Sequence, residues 1–243
     1  MKYRHLLFLY LLFGSVQLFA QTEFTVELYD YQRERIVPVA VYEPEHINKK
    51  TSVVIFNHGY GQNAPDSYTT YSYLTQSLAE KGYYVISIQH ELSNDSLLAM
   101  AGNFMETRMS NWERGVENIT FTINEFRKLK PKVNWNNLTV IGHSNGGDMA
   151  ILLATKHPAI VQKVISLDHR RMITPRYSKP NIYTLRGSDY EADNNVLPTI
   201  EEQQKYQIVV VKLDGIKHGD MDNKGTKEQH NVIVSYILRF LKD

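Results

Sequence analysis

Six short apolar runs, each bounded by turn residues, constrain most strongly what this chain can fold into. They are Val53-Val54-Ile55-Phe56, Tyr84-Val85-Ile86-Ser87-Ile88, Leu138-Thr139-Val140-Ile141, Val164-Ile165-Ser166-Leu167, Ile182-Tyr183-Thr184-Leu185 and Ile208-Val209-Val210-Val211. Runs this short and this continuous read as central strands of a parallel sheet, buried on both faces. Upstream, Phe24 to Tyr29 and Ile36 to Tyr42 alternate apolar and polar residues, as half-buried antiparallel strands do. Helical stripes lie between most of the runs. Trp112, Val116, Ile119, Ile123, Phe126 and Leu129 step by three or four until Pro131 stops the helix. Tyr68, Tyr71, Leu74 and Leu78 mark a second helix, which Gly82 ends. Val232, Ile233, Tyr236, Ile237, Phe240 and Leu241 mark a third. The order predicts an α/β domain: a mainly parallel sheet of about eight strands, antiparallel at its start, with helices on both faces.

The first twenty residues stand apart from this pattern. Lys2, Arg4 and His5 precede the run Leu6 to Phe13, and the stretch closes at Leu18-Phe19-Ala20. A basic start, an apolar middle and a small residue at the cut are the layout of a secretory signal. The apolar run is shorter than the roughly 20 residues that a membrane span needs. The expectation is therefore a signal peptide over residues 1–20, a single domain over 21–243, and a secreted or periplasmic protein with no membrane anchor after cleavage. Loss of Lys2 and Arg4 turns the net charge from +1 to −1, which offers no electrostatic footprint for nucleic acid. The chain has no cysteine, so disulfide scaffolds, thiol nucleophiles and cysteine-ligated zinc are excluded together.

Chemistry concentrates where the third run, Leu138 to Ile141, passes directly into Gly142-His143-Ser144-Asn145-Gly146-Gly147 and then into Met149 to Ala154. This is Gly-x-Ser-x-Gly between a strand and a helix. So sharp a turn leaves no room for side chains at 142 and 146, and it lifts the Ser144 hydroxyl clear of the sheet at a helix N-terminus. A second glycine-containing loop, His58-Gly59-Tyr60-Gly61, follows the first run. There the backbone N–H of Tyr60 can join that of Asn145 as an oxyanion hole. His58 itself reads as a support of this loop.

With these residues in place the sequence resembles the α/β-hydrolase family of serine esterases and lipases, and more loosely its platelet-activating-factor acetylhydrolase and dienelactone-hydrolase-like branches. The resemblance implies the α/β-hydrolase fold, with no large cap domain given only about fourteen residues from Asp168 to Asn181. It also implies the order nucleophile, acid, base. His218 stands after the last strand and takes the base position. Two aspartates fit the acid: Asp189, in the loop after the fifth run, where the family usually places it, and Asp168, one strand earlier, where a minority do. The resemblance favours Asp189, with Asp168 as the alternative.

The expected activity is hydrolysis of a small-molecule or lipid-like carboxylic ester through an acyl-enzyme, with no cofactor. A peptidase or thioesterase on the same residues, and a non-catalytic binding protein that retains the fold, are the competing readings. The insertion from Ser93 to Ser110, with Leu97, Leu98, Met100, Phe104, Met105 and Met109, either walls an acyl pocket or packs on the core. Arg170 and Arg171, with Arg176, either hold an anionic substrate group or form salt bridges. No metal is expected, because no His-Glu-x-x-His pair exists and Asp220-x-Asp222-x-Lys224 misplaces the ligands of a calcium loop.

Overall fold

The computed structural model describes residues 22–243, so the expected signal peptide lies outside the described residues. Eight strands form one sheet: β1 (Thr22–Asp30), β2 (Arg35–Glu43), β3 (Ser52–Asn57), β4 (Tyr84–Ile88), β5 (Asn134–His143), β6 (Lys163–Leu167), β7 (Asn181–Arg186) and β8 (Val209–Lys212). Their order across the sheet is β1-β2-β4-β3-β5-β6-β7-β8. β1 pairs antiparallel with β2, and β2 with β4; every later pairing is parallel. All eight strands coincide with the runs read from the sequence.

The helices are α1 (Ser72–Glu80), α2 (Phe104–Thr107), α3 (Met109–Leu129), α4 (Ser144–Lys156), α5 (Ile200–Tyr206) and α6 (Lys227–Lys242). Successive strand residues face opposite layers. Val53, Ile55, Leu138, Val140 and Val164 pack in one core with Trp112, Val116, Ile119 and Ile123 of α3 and Met149 to Ala154 of α4. Val54, Phe56, Ile141 and Ile165 pack in the other, with Leu74 and Leu78 of α1 and Ile233, Ile237 and Phe240 of α6. Val53, Val54, Ile55 and Phe56 are all fully buried. At roughly 1.5–3 kcal/mol per buried side chain, such a run offsets the ~1–2 kcal/mol per residue needed to order its backbone. A polar residue in the run would weaken that balance, which is why the central strands read as continuous apolar tracts.

The departures from the sequence reading are at the periphery. Leu129 and Val232 belong to the helical stripes but are exposed, Leu129 as the last residue of α3. α5 has no buried residue and hence no stripe to read; a capping box between Thr199 and Glu202 fixes its start. The Ser93–Ser110 insertion is mostly irregular around the short α2, and its Leu97 and Met100 are exposed. No large cap is inserted between β6 and β7.

The tightest backbone contact lies where β5 turns into α4. A Cβ added at Gly142 would lie 2.1 Å from the Gly146 carbonyl oxygen, and one at Gly146 would lie 2.4 Å from the carbonyl oxygens of both Asn57 and His58. Because these neighbours are backbone atoms, relief requires moving β3 or α4 as a body. Gly146→Ala is expected to destabilise the fold by about 3 kcal/mol, the upper range for an overpacked core. Urea denaturation read by circular dichroism checks this, and a loss below ~1 kcal/mol would show that α4 can recede.

Candidate active site

Ser144 opens α4 with a backbone φ of 51°, in the left-handed region that non-glycine residues rarely adopt. The turn that imposes this value also points Oγ away from the sheet. His218 reaches it from a short 3-10 turn, His218–Met221, beyond β8. The imidazole Nε2 is 3.0 Å from Ser144 Oγ, and Nδ1 is 2.5 Å from Oδ2 of Asp168. The turn is held by Asp220, whose Oδ2 accepts the Lys217 N–H and the Gln229 side chain from α6.

The carboxylate facing the imidazole is therefore that of Asp168 and not of Asp189, which corrects the preference drawn from the sequence. Asp189 does lie in this loop, but its Oδ1 accepts the backbone N–H of His218 at 2.8 Å. Register explains the exchange. His143 pairs with Leu167, so Asp168 leaves β6 directly beside the strand end that carries Ser144. Asp189 lies three residues past the end of β7, one strand further out, and at that distance its carboxylate meets the main chain instead of the ring. Gly187 separates the two: a Cβ there would press on Asp168 Oδ2 and Asp189 Oδ1 alike.

Asp168 is fully buried with a φ of 53°. Its Oδ1 accepts the Gly187 N–H and lies 2.8 Å from the guanidinium of Arg186, the last residue of β7. Burial alone would raise the pKa of this carboxyl. The hydrogen bond to His218, the Arg186 charge and the Gly187 N–H outweigh it, and the pKa is held below the ordinary value. Arg186 also donates to the His169 carbonyl, and Asp148 of α4 accepts the N–H groups of Arg171 and Met172. The turn after β6 is thus tied to both neighbouring elements. The sequence reading missed Arg186. Its signal was a charged residue ending an otherwise apolar central strand.

A second buried network lies behind Ser144. The Asn145 side chain donates to Glu91 Oε1 and Asn111 Oδ1 and accepts the indole N–H of Trp112. Its backbone N–H stands at the N-terminal end of α4, beside Ser144. Tyr60, the other expected oxyanion donor, lines the cavity that contains Ser144, and its N–H enters no backbone hydrogen bond among the described residues. His58 accepts the His90 N–H at Nε2, so its proton sits on Nδ1 and is donated to the Gly59 carbonyl. That arrangement makes it a support of the loop. On the cavity wall, Tyr71 accepts the Gly59 N–H and bonds His143 Nδ1 at 2.7 Å.

The cavity holds about 340 Å³ and is walled chiefly by Tyr60, Ser67, Thr70, Tyr71, His143 and Lys224, around Ser144 and His218. Met105 is not on this wall: it packs against the core beside α3 and α4. Arg170 and Arg171 are not on it either. Arg171 ion-pairs with Asp193, and Arg176 with Glu202. Among the described residues no cluster of metal-ligating side chains occurs.

The BD-FAE family model matches residues 39–179, more than half of the chain, from β2 to the end of the loop that carries Asp168. The chain belongs to the BD-FAE family. A serine hydrolase-like protein of Mus musculus is 29% identical over 101 residues, 42% of this chain and 31% of that relative, so the chain spans under a third of that relative's length. Among solved structures, a dienelactone hydrolase-like promiscuous phosphotriesterase from metagenomic libraries superposes with a TM-score of 0.70 at 12% identity, covering 92% of this chain and 98% of its own. An esterase from the archaeon Pyrobaculum calidifontis gives 0.66 at 13% identity, covering 91% and 85%. The architecture of this BD-FAE protein is that of the α/β-hydrolase fold.

Three buried histidines dictate a response to acid. Burial, with the neighbouring positive charges, holds His143 and His169 neutral with pKa values near 3, and His90 well below the ordinary value. Burial acts oppositely on Asp148 and pushes it up to about 6 against the Arg171 and Met172 N–H groups. Near pH 5 the unfolded chain binds two protons that native His143 and His169 refuse, while native Asp148 binds one that the unfolded chain releases, and the lowered pKa of His90 acts in the same direction as the two histidines. The native state is short by at least about one proton, so stability falls with acid by at least about 1.4 kcal/mol per pH unit there. Urea melts at pH 7, 6 and 5 check this; a flat profile would mean that the imidazoles are charged in the native state.

Proposed function

We propose that this protein is a serine hydrolase that cleaves carboxylic esters through an acyl-enzyme, with Ser144 as nucleophile, His218 as general base and acid, and Asp168 orienting the imidazole. One observation carries the reading: the unbroken line Asp168 Oδ2, His218 Nδ1, His218 Nε2, Ser144 Oγ, at 2.5 and 3.0 Å, opening into the cavity. His218 Nε2 takes the hydroxyl proton as Oγ bonds to the ester carbonyl carbon. The carbonyl oxygen becomes an oxyanion, and the N–H groups of Tyr60 and Asn145 stabilise it together with the N-terminal end of α4. Collapse breaks the bond to the alcohol oxygen, which leaves with the proton from His218. Water then repeats the sequence on the acyl-enzyme and releases the acid. Asp168 stabilises the imidazolium in each half.

The serine hydrolase-like mouse relative and the esterase neighbour agree with this reading. So does the small volume of the cavity, which suits a compact ester group better than a long lipid chain. The basic and apolar start of the chain supports export of the enzyme with removal of residues 1–20.

A fluorophosphonate probe is expected to label the protein at Ser144, with the adduct mapped by peptide mass spectrometry and absent in Ser144→Ala. Labelling elsewhere, or none, defeats the reading. Asp168→Asn is expected to lower kcat by ~10³-fold or more, and Asp189→Asn by less than ~10-fold; the reverse ranking would return the acid to Asp189. Across 4-nitrophenyl esters of graded acyl length, kcat/KM is expected to be highest at four carbons or fewer and to fall ~10-fold or more by decanoate.

A further inference from the structure

We propose that Arg170, seated on Tyr190, binds a carboxylate carried by the substrate, so that the ester cleaved at Ser144 is an anionic one. The inference rests on the hydrolase reading above and names the substrate class. Arg170 lies two residues beyond Asp168, half-buried, on the loop that leaves β6. Its guanidinium carbon is 4.4 Å from the centre of the Tyr190 ring, and that ring meets the His218 imidazole edge-on with centres 5.8 Å apart. One aromatic ring therefore separates the guanidinium from the histidine that touches Ser144.

The neighbouring arginines are already committed. Arg171 is paired with Asp193, Arg176 with Glu202 and Arg186 with Asp168. Arg170 has no carboxylate within 4 Å among the described residues, and no protein acceptor takes its side-chain N–H groups. Only its backbone is engaged, its carbonyl accepting the Asp193 N–H. Arg108 is likewise without a carboxylate partner: it stacks on the Phe104 ring at 4.3 Å, and Arg171 lies 4.4 Å from the same ring. These cations feel one another. After burial, Arg171 and Arg170 are influences that lower the pKa of Arg108, and Arg170 also contributes, behind burial and His218, to keeping His143 neutral. Asp148 and Asp193 act the other way on Arg108, so the surface beyond His218 carries both signs of charge, and among the described residues Arg170 is a cation there without a carboxylate partner.

Tyr190 supplies the second half of the site. It is half exposed although it stands against His218. The ring 4.4 Å from the guanidinium carbon holds Arg170 in place, and a guanidinium whose N–H groups have no protein acceptor is free to take a carboxylate through two parallel hydrogen bonds. An adequately solvated surface arginine needs neither the ring nor the position. The carboxylate belongs either to the acyl part of the ester or to its leaving group, and the two are separable by experiment.

Two substrate pairs make the test: mono-4-nitrophenyl succinate against 4-nitrophenyl butyrate, with the charge in the acyl part, and 4-acetoxybenzoate against methyl 4-acetoxybenzoate, with the charge in the leaving group. Wild-type protein is expected to prefer the charged member of one pair by ~10-fold in kcat/KM, chiefly through KM, and the preference is expected to weaken as salt rises. Arg170→Gln should abolish the preference, Arg170→Lys should retain part of it, and Arg127→Gln, at the far end of α3, should leave it intact. A wild-type enzyme that is labelled at Ser144 and hydrolyses the neutral esters without preferring either charged one overturns the carboxylate site alone. So does a preference that survives Arg170→Gln. Absence of both labelling and hydrolysis overturns the hydrolase reading, and the carboxylate site with it.

Discussion

α4 approaches β3 so closely that a single methyl group at Gly146 would lie 2.4 Å from two carbonyl oxygens, and the rest of the site follows from that approach. With the helix start pressed against the strand end, β5 ends at His143 and α4 begins at Ser144, so the chain reverses with no connecting residue between them. Ser144 absorbs the reversal at a φ of 51°. A conformation of this kind costs on the order of 1–3 kcal/mol and persists only where the surroundings over-determine it. Here they do: β5 lies between β3 and β6 in the middle of the sheet, and the first turns of α4 are buried against both. The strain is held by core packing, and its result is a hydroxyl whose position is set by the backbone.

Positions elsewhere in the site are set by buried polar groups, and these are stabilising only when their partners are complete. The Glu91 carboxylate receives amides from Asn111 and Asn145. The Asn145 amide in turn receives the Trp112 indole, so both of its N–H groups and its oxygen have partners. The consequence reaches the reacting centre through the main chain. A side chain locked on three sides fixes the residue next to Ser144, and with it the direction of a backbone N–H. On the opposite side Arg186 does the same for the turn carrying Asp168, binding its carboxylate and the following carbonyl together.

Much of this was legible in the sequence because it is governed by local rules. The eight strands, the elbow at Ser144 and the histidine after the last strand are each signalled by a short contiguous pattern. Asp168 against Asp189 was not legible, and the reason is physical. Both follow a strand, so local pattern treats them alike, whereas the choice depends on which strand end lies beside β5 and how many residues intervene before the carboxylate. That is a matter of sheet register, which no window of the sequence contains. Glu91, Asn111 and Tyr71 were illegible for a related reason. Their partners are distant in the chain, and a polar residue becomes informative only once its burial is known. The Ser93–Ser110 insertion, open in the sequence between a pocket wall and a segment packed on the core, divides: Leu98, Phe104, Met105 and Met109 pack inward, while Leu97 and Met100 stay in solvent.

His143 shows how the site keeps two adjacent imidazoles from competing. Its ring lies 4.5 Å from that of His218, so a charge on one would oppose a charge on the other. Tyr71 accepts the Gly59 N–H and hydrogen-bonds His143 Nδ1, which holds the imidazole ring in place. Nε2 is buried without a hydrogen-bond partner, so a charge on this ring would be poorly compensated. Burial, with the adjacent His218, accordingly brings the pKa down to about 3. His218 differs in one respect that decides the matter. It faces the Asp168 carboxylate on one nitrogen and the Ser144 hydroxyl on the other, and so can be charged where charge is compensated. Burial thus keeps the His143 ring neutral, and the imidazole placed to accept the Ser144 proton is that of His218.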